Sequence, residues 1–232
     1  ISVESSLIIL ALSAFIFLGQ SETQNFTAHY TKTLPKTQMQ LTKSANVDPA
    51  ISTASVQASK PKAAAIDVEN VVINSEEDYQ TIYKFITSKY KRVSDRDAQQ
   101  IASYLVSYGK KNNIDPKFVA ALIARESSFN PKAISVTGAK GLGQIKNFNF
   151  KSLNIQDPYD IKQNVSGTSE YLKRMLKRWG SKSEKVRLGL ASYYRGPNAI
   201  KRLNGNIDNE ANRYVDDILA YYDEIKSLRR RF

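Results

Sequence analysis

From about residue 75 to its end, the chain repeats apolar side chains every three or four positions, and this spacing constrains the fold more than any other feature. It is the period of a helix that buries one face. Ser75 can cap a helix carrying Tyr79, Ile82, Tyr83, Ile86 and Tyr90 on one face, with Phe85 at its margin. Ser94, with Asp97 three residues on, resembles a capping box. It opens a second helix that turns Ile101, Ala102, Leu105 and Val106 inward and stops near Gly109. Asp115-Pro116 supplies an N-cap and a proline at the first helical position. That third helix runs to about Phe129 and is closed by Asn130-Pro131. A helix over about 160–179 turns Ile161, Val165, Leu172, Met175, Leu176 and Trp179 inward and ends at Gly180; another covers about 184–194. The last spans about 209–228, with Val215, Ile218, Leu219, Tyr222 and Ile225 inward. Convincing strands and internal repeats are absent, so the expected class is all-α.

Two segments precede this helical domain of 75–232. Residues 6–19 are uncharged and largely apolar, a run of about 14. A helical bilayer span needs roughly 20 apolar residues, so the run fits the apolar core of a secretory signal better. No basic residue precedes it and Glu4 is acidic, which departs from the usual signal pattern. Residues 1–20 are therefore expected to be a signal peptide or a membrane anchor. Residues 21–74 are rich in Thr, Ser, Ala, Gln and Lys, are interrupted by Pro35, Pro49 and Pro61, and show no sustained apolar period. Such a stretch cannot bury enough surface to offset its ordering entropy and reads as a flexible, disordered linker. Within it, 66–73 fits a short strand or a docking segment.

The residue inventory removes several chemistries. There is no cysteine, which excludes disulfides, thiolate metal sites and cysteine nucleophiles. The single histidine, His29, lies in the linker, leaving almost nothing for a Ser-His-Asp triad or a histidine zinc site. No metal and no cofactor are expected; carboxylates, tyrosines and backbone groups remain for chemistry. The net charge of +12 is uneven: residues 1–75 hold five lysines and five acids, while 76–232 hold 29 Lys+Arg against 17 Asp+Glu. A basic domain suits an anionic partner such as a wall polymer, a membrane surface or nucleic acid, or is simply a solvated basic surface. No nucleic-acid motif accompanies the charge, and no nucleic acid is expected.

One carboxylate falls out of place. Val119, Leu122 and Ile123 mark the inner stripe of the third helix, and Glu126 takes the next step of that series. Glutamates seldom occupy an apolar face unless paired or functional. Desolvation there raises the pKa and would keep a neutral acid near pH 7, able to protonate a leaving oxygen. Taken alone, the pattern fits an ion pair with Arg125 or another arginine better. Twelve residues later comes Gly138-Ala139-Lys140-Gly141-Leu142-Gly143-Gln144-Ile145, whose glycines permit close approach of backbone to a ligand. Its spacing is not that of a phosphate loop. Leu190-Ala191-Ser192-Tyr193-Tyr194-Arg195-Gly196-Pro197 puts tyrosines at a helix end beside a turn.

These blocks, in this order, resemble the lytic transglycosylases of the goose-lysozyme-like superfamily over about 114–225. Glu126-Ser127-Ser128-Phe129-Asn130-Pro131 resembles the family's E-S-x-F-x-P block, and 138–144 its G-A-x-G-L-M-Q block. Asp157-Pro158, Asn164, Gly167 and Tyr171-Leu172 resemble D-P…N…G-x-x-Y-L. Residues 191–197 resemble A-A-Y-N-A-G-P, and Tyr214-Val215 the closing Y-V. The resemblance implies a lysozyme-like helical domain with a long substrate cleft. It also implies cleavage of peptidoglycan glycan strands at the β-1,4 bond between N-acetylmuramic acid and N-acetylglucosamine. Carried over by position, Glu126 is the sole acid/base, Ser135 and Gln144 contact the sugar chain, and Tyr193 reaches Glu126 or the reacting sugar. A second carboxylate is not needed, because the substrate's 2-acetamido group stabilises the cation and a 1,6-anhydro ring closes without water. Residues 6–19 would attach the enzyme to a membrane or export it, placing it in the cell envelope, periplasmic or outside the cytoplasmic membrane. The chain departs from the family at Gly143 (usually Met), at Lys146 (often Met) and at Tyr194-Arg195 (usually Asn-Ala). A hydrolytic alternative would use water and a second carboxylate, with Asp157 and Asp160 the candidates by position. A non-catalytic wall-binding component is the other alternative.

Overall fold

The structure, a computed structural model, describes residues 66–229 apart from 181 and 183. The apolar run 6–19, His29 and the linker as far as residue 65 lie outside the described residues. Helices α1 (Ser75–Lys89), α2 (Asp95–Asn112) and α3 (Pro116–Ser127) come first. A loop leads to the short α4 (Asn147–Phe150) and a 3-10 turn, Lys151–Leu153. Then follow α5 (Ile161–Lys177), α6 (Lys185–Arg195), α7 (Pro197–Arg202) and α8 (Asn209–Arg229). Three isolated β-bridges are the whole of the extended pairing among the described residues, so the class is all-α. No helix among them is long and apolar enough to cross a membrane.

α3 is the axis of the domain. Residues 116–124 are all buried, so this helix shows no solvent face over most of its length. α1, α2, α5 and α8 pack against it. The surrounding helices bury single stripes, such as Ile101, Ala102, Leu105 and Val106 on α2. Capping fixes where the helices start. Asn74, one residue before the expected cap, accepts from the Glu77 backbone N–H while its amide donates to the Glu77 carboxylate. Ser94 Oγ accepts from the Asp97 N–H at 3.1 Å, and Asp115 Oδ1 from the Lys117 N–H at 2.9 Å, with Pro116 next in line.

Three further local features differ from the sequence reading. α2 passes through Gly109 and stops at Asn112, where Asn113 turns left-handed with φ 55°. Gly109 is glycine because the return to α3 is close: an added Cβ would lie 2.9 Å from the Ile114 carbonyl oxygen. α3 stops at Ser127 rather than Phe129. Ser128 and Phe129 both adopt positive φ, 50° and 60°, a conformation costing roughly 1–2 kcal/mol per residue. That reversal drives Phe129 fully into the core, edge-on to Tyr90 and Phe85 at 5.0 and 6.2 Å between ring centroids, which offsets the strain. α4 and α7 were not foreseen, being too short to show a period. Residues 66–74 are docked, as the docking-segment alternative for 66–73 expects, so the described end of the stretch read as linker belongs to the domain. Val68 is buried, its carbonyl accepts from the Asp115 N–H at 2.8 Å, Asn113 donates to Asn70 at 2.6 Å, and Glu69 pairs with Lys185.

Beneath this dock lies an ionic core. Lys117 Nζ is 2.6 Å from Asp78 Oδ1 and 2.9 Å from Asp115 Oδ1, with all three side chains at most 6% exposed. Tyr222 donates to the other Asp115 oxygen at 2.8 Å. One charged cluster thus ties α1, α3 and α8 together.

Candidate active site

Glu126 occupies the last turn of α3, half-buried at the base of a cleft of about 400 Å³. The expected substrate contacts Ser135, Gln144 and Tyr193 line the same cleft, with Lys146, Phe148, Tyr171, Tyr194 and Arg195. Burial pushes the Glu126 carboxyl from its ordinary 4.5 up to about 7; the Tyr214 hydrogen bond and the Arg125 charge pull it partly back. Among the described residues, the ion pair that the pattern alone suggested does not form. Arg125 pairs instead with Asp217 at 2.9 Å and lies 5.4 Å from the Tyr214 ring centroid.

The hydrogen-bond partner of Glu126 is Tyr214 of α8, whose hydroxyl donates to Oε1. Tyr193, expected to reach Glu126 or the sugar, donates instead to the Gly143 carbonyl at 2.7 Å. Its ring packs edge-on to Tyr171 at 5.0 Å and still lines the cleft. Burial, then the Glu126 charge, pushes the Tyr193 hydroxyl well above its ordinary pKa, so it stays a donor. Tyr214 belongs to a block quoted for the resemblance, yet no role was read from it. Nothing in the local pattern separates it from other inward tyrosines of its helix.

The loop over residues 133–146 forms one wall. Its own backbone folds it through the bridges 134 to 140 and 140 to 145. Ser135 Oγ accepts from the Ala139 N–H at 3.0 Å and lies 3.1 Å from Thr137 Oγ1. Gln144 is left-handed, with φ 51°, and its amide donates to the Gly141 and Ala133 carbonyls at 2.8 and 3.2 Å. Lys146 Nζ donates to both the carbonyl and the hydroxyl of Thr137, at 2.6 Å each. Asn164 on α5 pins the loop from behind. Its Oδ1 accepts from the Gly143 N–H at 2.8 Å, and its Nδ2 donates to the Pro158 and Lys140 carbonyls at 2.7 and 3.2 Å.

Gly143, where the family usually has Met, sits against α5: an added Cβ would fall 1.9 Å from Thr168 Oγ1. Gly143 and Thr168 are thus a matched pair. Gly143→Ala is expected to lower stability by about 1–3 kcal/mol through overpacking, and Gly143→Ala/Thr168→Ala to recover only part of it, because the Cβ of residue 168 itself lies 2.8 Å from the added Cβ. Thermal unfolding of the two variants checks this.

Asp157 and Asp160 are spent on backbone. Asp157 Oδ1 accepts from the Tyr159 N–H at 2.9 Å, and Asp160 caps α5 by accepting from the Gln163 N–H at 2.8 Å. Neither lines the cleft of Glu126. Among the described residues, no group of three or more His, Asp or Glu gathers that could hold a metal ion.

Residues 103–215 match the family model described as the Transglycosylase SLT domain, just under half of the chain. The "Transglycosylase" of Enterobacteria phage PRD1 is 38% identical over 86 residues, covering 37% of this chain and 31% of the phage protein. The "Membrane-bound lytic murein transglycosylase F" of Desulfosudis oleivorans is 27% identical over 190 residues, covering 66% of this chain and 41% of that one. A crystallised inactive variant of the lytic transglycosylase Slt from Pseudomonas aeruginosa aligns with a TM-score of 0.49 and 18% identity, covering 66% of this chain and 29% of that one. The chain spans well under two thirds of the length of these relatives. The stretch from within α2 to within α8, residues 103–215, is thus similar to transglycosylase SLT domains.

Proposed function

We propose that this chain is a peptidoglycan lytic transglycosylase. It cleaves the β-1,4 bond between N-acetylmuramic acid and N-acetylglucosamine, and Glu126 is the single acid/base. One observation carries the reading: among the described residues, Glu126 is the only carboxylate lining the cleft, and burial holds it near neutrality at about 7. A neutral carboxyl can protonate the glycosidic oxygen. Because Tyr214 donates to Oε1, the acid proton belongs on Oε2. As the bond breaks, the 2-acetamido group of the substrate stabilises the cation. The Glu126 carboxylate then takes the proton of the muramic 6-hydroxyl, whose oxygen closes the 1,6-anhydro ring. No water is consumed, and Glu126 ends protonated, as it began. Against the usual two-carboxylate scheme, Asp157 and Asp160 accept from backbone N–H groups and, among the described residues, no second carboxylate lines the cleft, which supports the single-carboxylate reading.

Ser135, Gln144 and Tyr193 are assigned to the glycan strand, and the cleft needs no cofactor. The names of relatives called membrane-bound and lytic murein transglycosylases support an envelope location, as do residues 6–19 if they anchor or export the chain. Purified sacculi test the activity directly: the wild type should release soluble muropeptides, and intact sacculi would refute it.

The raised pKa means the protonated acid is present below about 7 and is lost above it. The rate should therefore fall as pH rises through about 7, and a rate that climbs through that range contradicts Glu126 as the acid.

A further inference from the structure

Tyr194 stands where the resemblance puts asparagine, and its surroundings give that exchange a use. Its ring lies on that of Tyr214, with centroids 4.5 Å apart and planes 16° from parallel. Tyr214 is 2% exposed, whereas Tyr194 is 37% exposed and lines the cleft. The outer ring therefore covers the buried one whose hydroxyl reaches Glu126. Tyr194 is itself clamped. Its hydroxyl donates to one Glu210 oxygen while Arg195 donates to the other. The Arg195 guanidinium is 4.6 Å from the Tyr194 ring centroid, and its Nε is 3.3 Å from Asp208. The Tyr194 and Arg195 bonds hold the Glu210 carboxyl below its ordinary range, so the clamp persists across neutral pH.

We propose that Tyr194 is a positioning residue: clamped by Glu210 and Arg195, it presses on the Tyr214 ring, fixes the Tyr214–Glu126 hydrogen bond and shuts water out of that corner of the cleft. The charged and titratable groups facing Glu126 are Tyr214 from α8, Tyr193 from α6 and Arg125 from its own helix. Removing Tyr194 has two opposing effects on Glu126. Water admitted beside the carboxyl lowers its pKa, and a loosened Tyr214 hydrogen bond raises it. Burial is the larger influence, so the net movement is downward.

The test follows the Glu126 carboxyl by ¹³C NMR titration in the wild type, Tyr194→Ala, Tyr194→Phe and Glu210→Gln. Tyr194→Ala should move the midpoint down by about one pH unit, the scale of a partial return of solvation. Tyr194→Phe, which keeps the ring stack but loses the bond to Glu210, should restore most of it. Glu210→Gln loosens the clamp at an exposed position and should move it the same way by less; this keeps the test decisive if the alanine variant does not fold. On sacculi, Tyr194→Ala should lower kcat about tenfold, the equivalent of one pKa unit, with KM little changed. An unmoved midpoint with a raised KM would make Tyr194 a sugar-stacking surface and overturn the proposal. So would a midpoint unaffected by Glu210→Gln. The kinetic arm rests on the transglycosylase reading, but the titration does not. Wild-type protein that leaves sacculi intact while the midpoint moves as stated refutes that reading and upholds the clamp.

Discussion

Glu126→Gln should reduce muropeptide release from sacculi by about 10²–10⁴-fold, the range that a positioned general acid contributes. The loss should fall at the upper end, because in the proposed mechanism the same group acts in both halves of the reaction and, among the described residues, no other carboxylate lines the cleft. Glutamine keeps the size of the side chain and still offers an oxygen to Tyr214. The fold should survive, and a thermal measurement separates folding from chemistry. The folded pKa of Glu126 is raised from 4.5 to about 7. Its stabilising contribution is full below about 4.5 and is lost as pH rises through about 7. At pH 8 the wild type therefore holds a charged, desolvated carboxylate that the glutamine variant lacks. The inactive variant should melt at or above the wild-type temperature there.

Lys117→Met should lower stability by about 3–5 kcal/mol, the cost of removing one partner from a buried ion pair. Asp78 and Asp115 would remain buried without their shared cation. Asp78 suffers more, because Asp115 keeps Tyr222 and the Lys117 backbone N–H. A domain with a typical total of about 5–15 kcal/mol loses a large part of it. The double variant Lys117→Met/Asp78→Leu exchanges the pair for apolar groups and should recover much of the loss. Urea unfolding measures both. A single variant within about 1 kcal/mol of wild type would mean that water or another group solvates these carboxylates.

The helices were legible because each surrounding helix buries a stripe, and a stripe writes its period into neighbouring residues. The same locality explains the misreadings. Gly109 looks like a stop signal, but what it accommodates is the Ile114 carbonyl of the following turn. Phe129 continues the apolar series of α3, yet it reaches the core by a left-handed reversal that spacing does not encode. Nothing in the sequence around Lys117 marks it out. Only its meeting with Asp78, 39 residues away, and with the α8 side chain Tyr222 behind Asp115, makes it central.

The site divides along the same line. Glu126 was visible as a carboxylate on an apolar stripe, and the blocks around it assembled Ser135, Gln144 and Tyr193 about one cleft. Which tyrosine meets the carboxylate was not visible, since Tyr193 and Tyr214 are both helical tyrosines far from Glu126 in the chain. Their separate tasks appear only when α6 and α8 are packed on α3: Tyr193 holds the Gly143 carbonyl and Tyr214 holds Glu126. The exchanges at Gly143 and Lys146 are departures from the family pattern. Each has a local partner, Thr168 for the first and Thr137 for the second, and neither takes a bond from Glu126.

The claim that one carboxyl group works without water is tested most directly by the mass of the product. Sacculi digested by the wild-type protein should yield muropeptides ending in 1,6-anhydro-muramic acid, each one water lighter than the corresponding reducing sugar. Reducing-end muropeptides carrying the added water would contradict the single-carboxylate account and require a second group to hold that water.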